Sequence, residues 1–476
     1  MINYLLNYPL GEERLEQHLK QIVVNIKYEF EEGRLSGIGL VSMIIEKIPE
    51  AALEKYVQLF YLPLTLQLVN DTSQRCRERV ANCLSHLLRR VSTEVVQPLF
   101  DIAKRWSLGG EEVQKASLQV FSVFVDSREE FLKRGDIVLQ LVERLKDIVV
   151  DKSFDDTNWE TFYFSLLCLE KLTKPFPLIL ANEHDVWTVV TKCLGHPHHF
   201  LKLVSTRLIN KHLETLDALS FTTDGSMSFL VRRPGSLYEV ARNLCYQLNT
   251  EEHFQNDEVT TLCIKNLCWI LPVMERNPAL CYVNSSTGKS DDDDDGQNPV
   301  GWVMKRLSNI AKPKGPLRRQ AIFKAFAAFA TVCPTVVFPA HLESMLEPLH
   351  RVDVETENDV ERAALLSSQK DRRRRKTGEA EPLPAEAVLA RDVLRLLEDQ
   401  CEFQEDFLTA YAAVKTRARE KKDQRKLEIS SEAMRDPRAA AKRRQKQKEH
   451  GKQRKRRRVD EQRLKRGGVA RRQHVS

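Results

Sequence analysis

The sequence predicts an all-α fold, a solenoid of stacked helical hairpins that ends in a strongly basic, partly helical tail. From residue 71 onward, apolar residues recur at intervals of three, four and seven, the spacing of one helix face, and no segment alternates as a strand does. Two of these helices begin about 39 residues apart, close to the repeat length of HEAT and armadillo hairpins. Charge is also distributed unevenly along the 476 residues.

The first clear hairpin lies between residues 71 and 106. Its first helix is predicted to be capped by Asp71 together with Gln74. Its second helix runs through Val95 and Trp106 and is predicted to end at Gly109-Gly110, where a positive φ costs a glycine little. The apolar face of the first helix consists of Cys76, Val80, Cys83, Leu84, Leu87, Leu88 and Val91.

The helical pattern continues beyond this hairpin. Further helices are predicted over residues 111–125, 137–148, 185–194, 200–213, 237–248, 258–273, 316–332 and 385–414. The apolar stretch 321–340 is interrupted by Lys324, Pro334 and Pro339, which favours a buried helix over a membrane span. We therefore expect repeated hairpins and no membrane contact.

Two polar stretches, residues 284–299 and roughly 353–384, are predicted to be disordered insertions in the solenoid. The first contains five consecutive aspartates, interpreted as a solvated loop because a homopolymer lacks the alternating ligands of a metal site. The second contains the basic run 372–376. The predicted organisation is an α-solenoid over residues 1–414 and a basic tail over 415–476, helical at first and then disordered.

The tail and the body carry opposite charge. Residues 415–476 contain 25 Lys and Arg against 8 Asp and Glu, a net of +17, which leaves −10 on residues 1–414. A block of like charge stays solvated and attracts polyanions, so nucleic acid is the leading partner. Because no aromatic residue occurs after position 415, base stacking is unavailable, and the predicted contact is with phosphates and sensitive to salt.

The predicted RNA-binding or nuclear-import residues lie in basic clusters of this tail. Two clusters about ten residues apart resemble a bipartite nuclear import signal. The alternative is a solvated extension of the last helix, since residues 415–427 combine helical propensity with mixed charge. The predicted residues are Lys442, Arg443, Arg444, Lys446, Lys448, Arg454, Lys455, Arg456, Arg457, Arg458, Lys465 and Arg466.

No catalytic, cofactor or metal site is predicted, because the common nucleotide, zinc and hydrolase motifs are missing. The cluster from His196 to His199 is interpreted as a turn that caps a helix, since Cys193 is its only soft neighbour. The five tryptophans are predicted to pack in the core and not to form a stacking platform. Ten cysteines without a C-x-x-C pair, and a start without a secretory signal, predict buried, reduced thiols inside the cell.

Three segments carry a family resemblance. In residues 194–208 a His-Pro-His-His turn opens a helix, as in a repeat of the Utp-twenty proteins, and residues 237–248 and 259–267 resemble that family's C-terminal region in the same order. The basic terminus also matches. The resemblance implies a nucleolar component of the small-subunit processome, associated with U-three snoRNA and needed to process the 18S ribosomal RNA precursor. Family members are several times longer, so the chain would correspond to their C-terminal portion.

The leading functional hypothesis is a non-catalytic scaffold in ribosome biogenesis. The resemblance implies pre-rRNA, U-three snoRNA and other processome proteins as partners in the nucleolus, and the tail adds import receptors. The alternative is a nuclear transport or chromosome-associated HEAT-repeat protein, because such solenoids bind basic segments along acidic faces. A third hypothesis, an enzyme, would need a cleft that periodicity does not reveal.

Overall fold

The computed structural model describes residues 11–151, 158–218, 221, 228–233, 235–249, 257–281, 298–370, 383–438, 441–443, 445–446, 448–449, 452–453 and 456, and of residues 151 and 358–370 it describes the backbone alone. All regular structure in these ranges is helical. Contacts divide the chain into two units after Gln400, and each unit is described by itself.

In the described parts of residues 12–400, sixteen helices of ten or more residues form eight antiparallel hairpins. They are α1 (Glu12–Val24), α2 (Glu31–Lys47), α3 (Val57–Asn70), α4 (Gln74–Arg90), α5 (Thr93–Trp106), α6 (Glu111–Ser127), α7 (Ile137–Asp151), α8 (Trp159–Leu172), α9 (His184–Cys193), α10 (His199–Glu214), α11 (Ser236–Leu248), α12 (Asp257–Arg276), α13 (Pro299–Ala311), α14 (Pro316–Val332), α15 (Leu342–Lys370) and α16 (Ala385–Gln400). Single-turn helices at Glu129–Leu132, Phe229–Arg232 and Pro334–Val337, and a short one at Glu50–Lys55, lie in the connections.

The helices form two layers because one hairpin cannot bury its apolar face alone. Each even-numbered helix packs on the next even-numbered helix, and the odd-numbered helices line the other side. Hydrogen bonds join residues about one repeat apart: Tyr61 Oη donates to Leu99 O (3.1 Å, 38 residues) and Arg144 Nε to Ser107 Oγ (3.1 Å, 37 residues). The predicted all-α solenoid is therefore confirmed.

Two predicted helix ends are wrong. Ser73, and not Asp71, caps α4: its Oγ accepts from Cys76 N at 3.3 Å, while the carboxylate of Asp71 accepts from Ser73 N at 2.8 Å. The turn at Gly109-Gly110 needs no positive φ, because Gly109 N bonds to Trp106 O in a tight right-handed turn and Gly110, at φ −64°, precedes α6.

Helix boundaries near the C-terminus also differ from the sequence prediction. The backbone is helical through residues 353–370, which were predicted to be disordered, because α15 begins on a buried apolar face and Asp353 pairs with Arg391 of α16 at 2.9 Å. The single predicted helix 385–414 is two helices, α16 and α17 (Gln404–Arg435), separated where Phe403 is extended. Segments 284–297 and 371–382 lie outside the described residues.

Helices that the sequence analysis did not identify include α1, α2, α3, α8, α13 and α15. The apolar stretch near residue 321 forms the buried helix α14, as predicted. Among the described residues, no helix is both long and apolar enough to cross a lipid bilayer.

Candidate nucleic-acid interface

The candidate interface begins on α17, a helix of 32 residues in the second unit. Its sequence is rich in Ala, Lys, Arg, Glu and Gln, which all have high helix propensity. Glu405 and Asp406 lie in the first turn and Arg435 in the last, so the charges at both ends complement the helix dipole. Local sequence thus explains why this strongly charged segment is helical.

Four exposed cations follow one face of α17. Lys415, Arg419, Lys422 and Lys426 are spaced i, i+4, i+7 and i+11, which places them in one row along a helix of 3.6 residues per turn. We call this row the basic stripe, and it extends about 16 Å at a rise of 1.5 Å per residue. A regular row of cations suits a polyanion, whose charges are also evenly spaced.

Local interactions leave most of the basic stripe available to a ligand. Lys415 Nζ lies 4.2 Å from the centre of the Tyr411 ring, and Lys426 Nζ lies 3.0 Å from Asp423 Oδ1, a largely exposed pair of small energetic value. Arg419 and Lys422 have no carboxylate within ion-pair distance in the part of the chain that the structure describes. The basic stripe is therefore weakly neutralised.

Five of the predicted tail residues lie in the described part of the chain, and all five are helical and exposed: Lys442, Arg443, Lys446, Lys448 and Arg456. The Arg443 guanidinium pairs with the Glu432 carboxylate of α17. The other predicted residues, Arg444, Arg454, Lys455, Arg457, Arg458, Lys465 and Arg466, lie outside the described residues. Their role in RNA binding or import remains a prediction.

The sequence analysis missed the basic stripe, although the signal was present. Cations at residues 415–426 follow the three-and-four spacing that identified the apolar helix faces. By composition alone the segment has mixed charge, because carboxylates are interspersed among its cations. On the helix, however, Glu420 lies well away from the line of the basic stripe at 100° per residue, and Asp423, beside that line, pairs with Lys426 alone among the stripe's cations in the described residues.

The histidine turn precedes α10 without capping it: His198 occupies the N-cap position and its side chain makes no capping hydrogen bond, so the predicted cap is wrong. His196 Nδ1 accepts a hydrogen bond from His198 N at 3.0 Å, and the His198 ring stacks on Trp159 with 3.6 Å between ring centres. Burial, with the neighbouring histidines, lowers the pKa of His198, which keeps its ring neutral at pH 7. Across the described residues, no group of three or more His, Cys, Asp or Glu side chains is arranged to hold a metal ion.

The cysteines behave as core residues. All ten are free thiols and eight of them are buried, as predicted. Burial raises the pKa of Cys83, Cys168, Cys193 and Cys245 to about 12, so these thiols stay protonated and unreactive at neutral pH.

The tryptophans differ among themselves. Trp187 is buried and donates from Nε1 to Leu180 O at 2.8 Å, and Trp269 is partly buried and donates to Leu216 O at 3.0 Å. Trp159 lies at a partly exposed helix start beside Phe200 and the histidine turn. Core packing therefore describes Trp187 well and Trp159 only in part.

No protein-family profile matches the chain. The chain is similar to U3 small nucleolar RNA-associated protein 20 of Saccharomyces cerevisiae, with 22% identity over 455 residues, which is 92% of this chain and 17% of that protein. It is also 25% identical over 213 residues to the protein of the same name in Schizosaccharomyces pombe, covering 43% of this chain and 8% of the relative. The chain thus spans less than a fifth of the length of these relatives.

Solved helical-repeat structures resemble the chain only distantly. Kap95p solved with RanGDP is 10% identical with a TM-score of 0.49, over 84% of this chain and 49% of that one. Yeast importin-beta is 12% identical with a TM-score of 0.43, over 87% and 51%. These values carry no argument about function. The sequence similarity along 92% of the chain agrees with the resemblance at residues 194–267 and supports the family of U3 small nucleolar RNA-associated protein 20.

Proposed function

We propose that this chain is a non-catalytic scaffold of the small-subunit processome, in which the helical repeats contact other proteins and the basic C-terminal segment contacts RNA phosphates. The similarity to these relatives supports the processome, because both are named for their association with U3 small nucleolar RNA. The stacked hairpins support a scaffold, because repeat arrays offer long binding surfaces. Ribosome biogenesis and a nucleolar location follow from the same relationship.

The observation that carries the RNA contact is the basic stripe, continued by the tail. Each Lys or Arg that neutralises a phosphate releases a condensed counterion, and Arg also matches a phosphate with two parallel hydrogen bonds. No aromatic residue follows position 415. Binding is therefore directed to the backbone of pre-rRNA or U-three snoRNA, with weak reading of bases.

The tail has a second proposed role in nuclear import. Its two basic clusters, one around residues 442–444 and one at 454–458, have the spacing that a bipartite import signal requires. Import receptors and RNA would use the same cations at different times, which makes the two roles compatible.

Deletion of residues 442–476 tests both roles. In cells, the tagged deletion protein should lose nuclear enrichment; in vitro, its affinity for pre-rRNA fragments should fall, and the logarithm of the binding constant should depend less steeply on salt. A variant with Gln at every Lys and Arg of 442–476 is the matched control for chain length. If neither localisation nor affinity changes, the proposed role of the tail is wrong.

Recovery of RNA tests the scaffold role separately. The tagged full chain should recover pre-ribosomal RNA or snoRNA together with other processome proteins. Recovery of neither RNA, with a nucleoplasmic or pore location, would favour the alternative of a nuclear transport or chromosome-associated repeat protein.

A further inference from the structure

A cluster of aromatic rings lies at the edge of the solenoid where α8 and α10 begin. Trp159 is the first residue of α8, and His199 and Phe200 open the neighbouring helix α10. With Tyr163 and His198 they form what we call the aromatic patch. The patch lies far along the sequence from the basic stripe and belongs to the other unit of the chain.

The rings of the aromatic patch contact one another, and part of their surface is exposed to solvent. Trp159 and His198 stack at 3.6 Å between ring centres, His199 and Phe200 lie 3.9 Å apart, and Tyr163 lies 5.4 Å from Phe200. Phe200 is 40% exposed, and His199 is exposed as well. An ordered group of exposed rings is a feature of interaction sites, because aromatic side chains supply large contact area at low entropic cost.

Carboxylates border the aromatic patch on one side. Lys115 Nζ is shared by Glu111 at 3.3 Å, Glu112 at 3.3 Å and Glu160 at 3.2 Å, so three carboxylates surround one ammonium group. Glu160 adjoins Trp159 in the first turn of α8 and raises the pKa of His198 against the other influences on that ring. We call Glu111, Glu112 and Glu160 the acidic rim, and it keeps an excess of two negative charges.

Arg207, a cation of α10 close enough to Tyr163 of the patch to act on its charge, is already engaged. Arg207 of α10 binds Glu258 of α12 through Nε at 2.8 Å and through Nη2 at 2.6 Å, both to Oε1. Its charge is therefore compensated. A phosphate backbone laid across the aromatic patch would meet the three carboxylates of the acidic rim, which disfavours RNA as the occupant.

We propose that the aromatic patch and the acidic rim form a docking site for an arginine-containing segment of a partner protein. A guanidinium group is planar and weakly hydrated, so it can stack on the ring of Phe200 or Trp159 while its edge donates to the Glu160 carboxylate. The ammonium group of lysine carries the same charge but has no planar face that could stack on a ring. The site thus selects arginine over lysine, and basic polypeptide over nucleic acid.

Fluorescence anisotropy with the full chain tests this site. The probes are a labelled peptide of alternating Arg and Gly, the same peptide with Lys for Arg, and a labelled oligouridine. The Arg peptide should bind about twofold to fivefold more tightly than the Lys peptide, the range that an exposed cation–π contact spans. Phe200→Ala and Glu160→Gln should each weaken binding of the Arg peptide by a similar factor.

Matched variants elsewhere in the chain serve as controls. Phe30→Ala removes a ring that is 63% exposed outside the patch, and Glu13→Gln removes an exposed carboxylate, so neither should alter peptide binding. Trp159→Phe keeps a ring and should retain most of the affinity. Circular dichroism establishes that each variant is folded.

Three outcomes would overturn the proposal. The first is equal peptide binding by wild type, Phe200→Ala and Glu160→Gln. The second is that these variants weaken oligouridine binding instead, which would assign the patch to RNA. The third is that the peptide binds only after residues 442–476 are removed, which would make the chain's own tail the occupant. None of these results bears on RNA contact by the basic stripe.

Discussion

Arg34 of α2 makes a two-pronged ion pair with Asp71, which precedes α4: Nε lies 2.9 Å from Oδ2 and Nη2 lies 3.0 Å from Oδ1. The Asp71 side chain is fully buried, and it also accepts from Gln67 Nε2 at 2.5 Å and Ser73 N at 2.8 Å. Burial alone would raise the pKa of Asp71, but the hydrogen bonds from Arg34, Ser73 and Gln67 outweigh it and lower that pKa. The pair connects the first hairpin to the second.

Asp71→Asn should reduce the free energy of unfolding by about 3 kcal/mol at pH 7, because it leaves the Arg34 guanidinium without its carboxylate. Urea unfolding measures this, with the exposed Glu46→Gln as control. Since the folded pKa is depressed, the stabilisation is complete above the ordinary pKa of 3.8 and is lost as pH falls through the lower folded value. A difference from wild type that did not shrink at all as the pH fell below 3.8 would contradict this account.

Arg319 of α14 holds the last two hairpins together. Its guanidinium is 1% exposed, with Nη1 3.0 Å from Glu355 of α15 and 3.6 Å from Glu386 of α16. Arg319→Met should destabilise the chain by about 3 to 5 kcal/mol in urea unfolding, because two partly buried carboxylates lose their partner.

Two further variants isolate the role of charge at Arg319. Adding Glu355→Gln and Glu386→Gln to Arg319→Met should recover part of the lost stability. Lys314→Met, at a residue 73% exposed and 3.8 Å from Glu355, should have little effect. If the triple variant were as unstable as Arg319→Met alone, lost packing and not unpaired charge would be the cause.

His212 should make stability depend on pH. Its ring packs against Trp187 (4.7 Å between centres) and Phe229 (5.3 Å), its Nε2 lies 2.9 Å from Ser228 Oγ, and burial lowers its pKa to about 4. Between pH 6.5 and 4 the unfolded chain binds a proton that the folded chain does not. The free energy of unfolding should therefore decrease as the pH is lowered from 6.5 to 4, by up to about 1.4 kcal/mol per pH unit from this group.

The variant His212→Gln isolates that contribution. Its free energy of unfolding, measured in urea at intervals from pH 7 to pH 4, should depend less steeply on pH than that of wild type. Identical slopes for the two proteins would show that His212 is not buried in its neutral form.

The two faces of α17 can be compared at equal charge. Arg419→Gln, Lys422→Gln and Lys426→Gln together remove three cations of the basic stripe, whereas Arg417→Gln, Lys421→Gln and Arg425→Gln remove three from another face. With single-stranded RNA, the first triple variant should lower the salt slope by up to about 2, at roughly 0.7 per contact. The second triple variant should lower the salt slope less than the first. Equal loss in both would show that net charge, and not the basic stripe, determines binding.

The sequence predicted the repeated helices well where one face is apolar and the other polar. The face through Val80, Leu84 and Leu87 is buried as predicted, because packing in a hairpin array follows helix periodicity. The sequence did not predict α3, because apolar residues surround that helix and no polar face alternates with an apolar one. It also assigned the α4 cap to Asp71, since the ion pair with Arg34, 37 residues away, has no local signature.

Candidate sites were harder to predict than the fold. The basic tail was evident from composition, but the basic stripe required knowing that residues 404–435 form one helix. The aromatic patch was not foreseen at all, because Trp159 and Phe200 are 41 positions apart and meet only when α8 and α10 stack. A sequence window as long as one helix does not reveal contacts between residues of neighbouring repeats.

The most direct test of the scaffold with a phosphate-binding tail is ultraviolet crosslinking of the full chain in cells, followed by sequencing of the RNA and mapping of the crosslinked peptides. The account predicts pre-rRNA or U-three snoRNA crosslinked within residues 415–466 and without a shared base motif. Crosslinks confined to residues 12–400, or recovery of no ribosomal precursor and no snoRNA, would contradict it.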